Sequence, residues 1–347
     1  MRFMMQDSIM VAGQICTGGS KMLHNFKAPF SATVYEKCRK NGMEFSGLTL
    51  PSEFSIDSLF DESDPRDDAI TAILENRCDA VLCNDVFGKL RRQAPQNGLI
   101  YIHPAYGTVS RFGLMPTVSS MDQIGVLCRT LNEGLELLSI ISGHDENDGT
   151  SLPAVSYRFH ADEKKETPTI GKASPSLPLI SSATGIELKY SELFAPVFYI
   201  LATAELSNNT TRYDGVKFGY RAEGVDEIDD LYLKSRSDSF GRDLQLASLV
   251  GCMVLSHEHY DNLYHKAMQI RRLVHDHYSE ILASIDAVAL PTKSDVDTKF
   301  EQAALYALPT LGGFACISLP YRDGTVQFIC RHGQENTMFA LAQEGAQ

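Results

Sequence analysis

Side chains capable of acid–base, metal or nucleophilic chemistry are plentiful in this chain, but they seldom stand at spacings that let them work together. His257 and His259 flank Glu258. Residues two apart on a helix do not share a face, and zinc helices of the His-Glu-x-x-His type need four-residue spacing. His275 and His277 fail the same test. The eight cysteines (Cys16, Cys38, Cys78, Cys83, Cys128, Cys252, Cys316 and Cys330) are scattered without a CxxC pair, and several sit in apolar runs such as Ala80 to Cys83. They read as reduced, mostly buried thiols of a cytoplasmic protein rather than as a zinc or iron–sulfur site. Neither Cys83 nor Cys128 has a nameable histidine partner that would make it a nucleophile. No metal and no cofactor is expected.

The totals frame that reading. The chain has 347 residues, 44% hydrophobic and 22% charged, which suits a soluble globular protein of one large core or two modest domains. No run approaches the eighteen or so apolar residues a membrane helix needs, and Met1 to Asp7 does not develop into a signal peptide. The formal charge of −13 opposes docking on nucleic acid through the bulk surface.

The elements that must position any site alternate between strands and helices. Helical patterns are expected over Ala32 to Lys40, Ala69 to Glu75 and Thr130 to Ser142. In the last of these Thr130 and Glu133 form a capping box and Gly143 stands just past the end. The segment Asp61 to Asp68 is acidic, contains a proline and reads as a surface connection. Residues 153–186, rich in Pro, Ser, Thr and Lys, are the best boundary candidate. Helices then follow from Ser191 to about Thr211, Val225 to about Ser237, Arg242 to about Asp261, and on to about Ile285, with the last two able to merge. Strands are expected at Ala80–Cys83, Leu99–Ile102, Ala287–Leu290, Phe314–Leu319 and Thr325–Cys330, and a closing helix at Asn336–Gln343. Strands separated by long helices argue for α/β or α+β architecture.

Several strings, in order along about four fifths of the chain, resemble the amidotransferase A-type branch of the amidase signature family. They are Gly19–Leu23 (GSKML), Tyr106–Leu114 (YGTVSRFGL), Ser119–Gly125 (SSMDQIG), Arg212–Arg221 (RYDGVKFGYR) and Arg236–Gly241 (RSDSFG). The resemblance implies an α/β fold with a mixed central sheet flanked by many helices. It also implies a shortened N-terminus and a shortened glycine/serine loop. In the family a lysine deprotonates a relay serine, which takes the proton of a nucleophilic serine, and glycine-loop N–H groups hold the oxyanion. Here Gln6 stands at the lysine position, and an amide has no titratable proton near neutral pH, so it cannot act as the general base. The stretch from Phe54 to Ala69 is about twenty residues shorter than the loop of the relay serine. In Cys83–Lys89, Lys89 takes the nucleophile position, Asp85 and Gly88 are retained, and Phe87 replaces a glycine.

The resemblance also implies a substrate clamp made by an arginine on the long helix and an aspartate on a later one. Arg271 matches the arginine, whereas Ala303 falls at the aspartate. Lys89 is weighed as a new nucleophile against an exposed loop lysine, and Arg271 as a carboxylate ligand against a helix-surface arginine beside Arg272. Tyr213 and Asp214, in the RYDGVKFGYR string, are weighed as interaction or ligand residues against internal structure. Three parts follow: residues 1–152, the first part of the core with a degenerate catalytic loop; 153–186, a linker or extended loop; and 187–347, a helical insertion and the second part of the core. Three functions stay open: a catalytically inactive binding or structural protein, a divergent amidotransferase subunit, or an amidase-fold enzyme with altered chemistry. The implied partners are a second copy of the chain, an amidotransferase B- or C-type subunit, or a small amide or carboxylate. Contact with tRNA is only indirect, and no membrane is involved.

Overall fold

The structure, a computed structural model, describes residues 1–57, 65–153, 159–161, 168–172, 183–293 and 298–345. The strands are β1 (Arg2–Gln6), β2 (Glu44–Thr49), β3 (Ala80–Asn84), β4 (Ile100–His103), β5 (Ile124–Cys128), β6 (Ile170–Lys172), β7 (Thr184–Gly185), β8 (Ala287–Pro291), β9 (Ala315–Tyr321) and β10 (Gly324–Cys330). The helices are α1 (Thr33–Lys40), α2 (Asp68–Leu74), α3 (Lys89–Gln96), α4 (Leu131–Ile141) and α5 (Ser191–Thr210), then α6 (Ile228–Ser239), α7 (Arg242–Leu255), α8 (Lys266–Ser284), α9 (Lys299–Gly312) and α10 (Glu335–Gly345).

All ten strands join one sheet in the order β2-β1-β3-β5-β4-β9-β10-β8-β6-β7. β1 runs parallel to β2 and β3, whereas β3–β5, β5–β4, β4–β9, β9–β10 and β10–β8 are antiparallel, so the sheet is mixed. Central strands such as β3 (AVLCN) and β5 (IGVLC) are buried at every position, as strands covered by helices on both faces must be. One apolar cluster on the sheet gathers Phe3, Leu82, Ile102, Leu138, Ile317 and Phe328, and another gathers Phe87, Phe198, Leu201, Tyr278, Leu290 and Leu308.

The local sequence accounts for the starts of α2, α4 and α9, where Asp67, Thr130 and Thr298 cap the helix. Thr130 Oγ1 accepts the Glu133 N–H and the Glu133 carboxylate accepts the Thr130 N–H, the reciprocal capping box that starts α4. α5 crosses α7 closely at Gly251, where a Cβ would run into the Thr203 carbonyl. The expected helix from Arg242 to Asp261 stops at Leu255, because Ser256 turns extended (ψ 152°); His257 and His259 therefore lie in the following turn, outside a regular α-helix. A six-residue π-turn, Tyr260–His265, leads directly into α8.

β1, β2 and β5 add to the strands expected from the sequence. Within 153–186 the described residues supply β6, which pairs with β8, and β7, which pairs with β6. Seven cysteines are buried and Cys252 is exposed. No helix among the described residues is long and apolar enough to cross a membrane.

Candidate functional site

The segment Cys83–Lys89 leaves β3 and feeds α3, and it is built as a rigid corner. Asp85 accepts the Leu90 and Arg91 N–H groups, both at 3.0 Å, which satisfies the opening turn of α3. Arg91, fully buried, donates from Nε to Asp85 at 3.1 Å. Its terminal nitrogens reach the Asp85 and Val86 carbonyls, the Tyr306 carbonyl and the Thr310 hydroxyl. The corner is thereby stitched to α9. Gly88 has φ +83° and its absent Cβ would lie 2.5 Å from the Tyr306 Cβ, so only glycine fits there. Phe87 points into the core and meets Phe198 edge-on at 5.5 Å.

Lys89 is the first residue of α3 and only 9% exposed, which corrects its reading as an exposed loop lysine. Its Nζ lies 3.8 Å from Asp67 Oδ2. Asp67 is buried as well, although Asp61–Asp68 reads from sequence as a surface connection; residues 61–64 lie outside the described residues. It caps α2 by accepting the Ala69 N–H at 3.0 Å. Burial pushes the Asp67 carboxyl up, and the Lys89 ammonium pulls it part of the way back. Beside this pair, Asp57 binds Arg92 at 2.7 Å and Lys299 at 3.7 Å. The adjoining cavity is about 210 Å³, and its charged walls are Lys89, Arg242, Lys299, Glu53, Asp57 and Asp243. Glu53 ties it to distant chain, accepting from the Ser20 hydroxyl at 2.6 Å and the Gly241 N–H at 2.8 Å.

Gln6 ends β1 and is buried. Its Oε1 accepts the Asn84 N–H at 2.9 Å, and Asn84 Nδ2 donates to Asp122 at 2.9 Å. Asp122 also accepts the Thr117 and Val118 N–H groups. Burial raises the Asp122 carboxyl against those hydrogen bonds. The Gln6 amide thus braces the end of β3. With Lys89 held against Asp67, this arrangement can pair charges and present a polar wall.

The remaining candidates do not converge on it. Arg271 donates from Nε to the Leu311 carbonyl at 2.9 Å and from its terminal nitrogens to Ser120 Oγ at 2.7 Å and Ser120 O at 2.9 Å. It lines a different cavity from Ala303. Tyr213 is buried and stacks on Phe54 with centroids 5.2 Å apart, and Asp214 accepts the Val216 N–H at 2.8 Å in the turn after α5. Arg236 reaches back to the Thr210 and Tyr213 carbonyls. Asp67, Asp57 and Lys299 do not stand out in the sequence. The clue available is the basic run Lys89, Arg91 and Arg92 opening a helix, which opposes the dipole and demands acidic partners.

The chain is similar to known proteins over most of its length. The family profile described as Amidase matches residues 75–174 and 182–311. The A subunit of glutamyl-tRNA(Gln) amidotransferase from Streptococcus sanguinis is 31% identical over 391 positions, covering 97% of this chain and 80% of that protein. Its counterpart from Thiobacillus denitrificans is 31% identical over 364 positions, covering 91% and 75%. Among solved structures, the A subunit of glutamyl-tRNA(Gln) amidotransferase from Thermotoga maritima superposes with a TM-score of 0.73 at 23% identity, covering 98% of this chain and 81% of that one. Peptide amidase from Stenotrophomonas maltophilia gives 0.77 at 20% identity, covering 99% and 82%. At those identities the solved structures bear on the fold alone.

Proposed function

The chain belongs to the amidase family, and we propose that it is a non-hydrolytic member that works by holding a partner or a small amide or carboxylate, not by cleaving one. One observation carries this reading. The position matching the family's nucleophile holds Lys89 in a buried ion pair with Asp67, while the position matching its base holds Gln6, an amide bonded to the Asn84 N–H. The Gln6 amide cannot serve as a general base, and the two groups are committed to separate partners. The arrangement is held from several sides, by Arg91, Asp122 and the Asp57 pairs, so restoring one residue does not rebuild the chemistry.

The test is ammonia release from glutamine and asparagine by the purified native protein and by Gln6→Lys, with intact-mass analysis of whatever co-purifies. The expected result is no release above a no-enzyme blank from either form. Release by Gln6→Lys would sink the argument that loss is distributed. Release by the native chain that vanishes in Lys89→Ala would instead assign altered chemistry to this scaffold.

A second reading is favoured by the likeness to the A subunit of glutamyl-tRNA(Gln) amidotransferase over 97% of this chain. On it, the protein is a divergent amidotransferase subunit whose glutaminase activity is supplied elsewhere. Stoichiometric co-purification of a B- or C-type subunit supports it, and a chain that purifies alone or as a dimer opposes it.

A further inference from the structure

α7 is buried along one side only. Leu244, Ala247, Gly251 and Val254 turn inward, and Gly251 meets the Thr203 carbonyl of α5. At about 100° per residue, the opposite side carries Arg242, Gln245, Leu246, Leu249 and Met253. That is the stripe of an amphipathic helix, here laid outward. Leu249, at 69%, is the most exposed large apolar side chain among the described residues, and Met253 is 47% exposed. From Leu244 to Leu255 (LQLASLVGCMVL) the helix holds no charged residue. The helices on either side of it in sequence are different: Asp229, Asp230 and Lys234 are exposed on α6, and Lys266, Arg272 and Glu280 on α8.

Charge decides what can cover this face. The chain carries a net charge of −13, so two copies repel unless they meet where acids are missing. A two-fold interface must also complement itself, because each residue pair across it occurs twice. The α7 stripe meets both conditions. Its middle is uncharged, Arg242 stands exposed at its start, and Glu258 is exposed in the turn that follows its end. Antiparallel pairing of two such helices brings Arg242 of each copy toward Glu258 of the other and sets the two helix dipoles in opposition. A basic partner, by contrast, would be drawn to the acid-rich remainder of the surface.

We propose that α7 is the face on which a second copy of this chain docks, the two helices packing antiparallel about a two-fold axis close to Leu249. One helix from each copy makes a small interface, so the dimer should dissociate on the order of micromolar concentrations. The dimer does not depend on whether the Lys89 region turns anything over, so it stands or falls apart from the function proposed above.

Sedimentation velocity of the full chain, from about 1 µM to about 1 mM, should show a reversible monomer–dimer equilibrium. Leu249→Glu and Met253→Glu, both at exposed positions, each place an acid near the axis twice over. Each should weaken the dimer by about tenfold or more with unchanged circular dichroism. Arg242→Glu should weaken it as well, and adding Glu258→Arg should restore it. In a Cys252→Ser background, a short bismaleimide should join Leu249→Cys across two copies, since the other seven cysteines are buried. Monomer at every concentration, a dimer that neither acidic variant weakens, a charge swap that restores nothing, or a dimer not joined at position 249 would overturn the proposal. So would a stoichiometric subunit of another kind that shields position 249 from the maleimide.

Discussion

Replacing Lys89 by methionine isolates the charge at the centre of this buried ion-pair cluster, because methionine keeps most of the buried stem. At 3.8 Å the Lys89–Asp67 attraction is on the order of 4 kcal/mol with an effective dielectric of about 20. Both side chains are nearly out of solvent, at 11% and 4% exposure, so little of this is screened. Allowing for relaxation around a carboxylate left alone, Lys89→Met should cost about 3 kcal/mol at pH 8. Asp67 is an acid whose folded pKa already lies above its unfolded one, so its ionisation opposes folding. Stability is therefore lost as pH rises from the ordinary carboxylate range through the raised folded value, and removing Lys89 pushes that value higher. The deficit of Lys89→Met should shrink as pH falls toward the ordinary carboxylate range. Adding Asp67→Asn, which still caps α2, should bring the double variant to within about 1 kcal/mol of the native protein. Urea unfolding at several pH values, arranged as a double-mutant cycle, measures all of this. A double variant as unstable as Lys89→Met alone, or a deficit independent of pH, would refute the reasoning.

Three further outcomes follow from the same geometry. Gly88→Ala forces a Cβ into Tyr306 at positive φ and should cost about 2 kcal/mol or more, read by urea unfolding. Arg91→Met leaves Asp85 buried without its guanidinium and strips donors from three carbonyls; a loss of about 3–5 kcal/mol should show as a sharp fall in soluble yield and midpoint. Thr130→Ala removes half of the α4 capping box and should cost about 1 kcal/mol, with the unfolding slope unchanged.

Much of the framework is legible in local pattern. Thr130 and Glu133 mark the start of α4, and the apolar runs of β3, β8, β9 and β10 lie within a residue or two of where their composition puts them. Other elements are hidden for physical reasons. β1 (RFMMQ) shows no alternation, because its helix-covered position between β2 and β3 does not require any. α3 (KLRRQAPQ) looks like solvated surface, yet its first seven residues are buried. Their charges are met by Asp67, Asp57 and Asp85, and the partners of Arg91 on α9 lie more than two hundred residues away in the chain. The resemblance draws attention to Gln6, Asp85, Gly88 and Lys89, but no pattern in the sequence says that Asp67 turns inward. That is decided by the packing of α2 against β3.

The pairing of β4 with β9 has a bearing on how the chain can be made. Residues 101–103 find their partners at 316–318, and this is the seam that joins the two flanks of the sheet. During synthesis β4 must wait for more than two hundred further residues, with one edge of a buried, apolar strand unpaired. Pieces severed between the two flanks would each carry a raw edge and should aggregate when expressed singly, yet they can reconstitute the sheet when expressed together. Split-gene co-expression would therefore be a stringent assay of folding, and the nascent first half is the state in which a chaperone would be most needed.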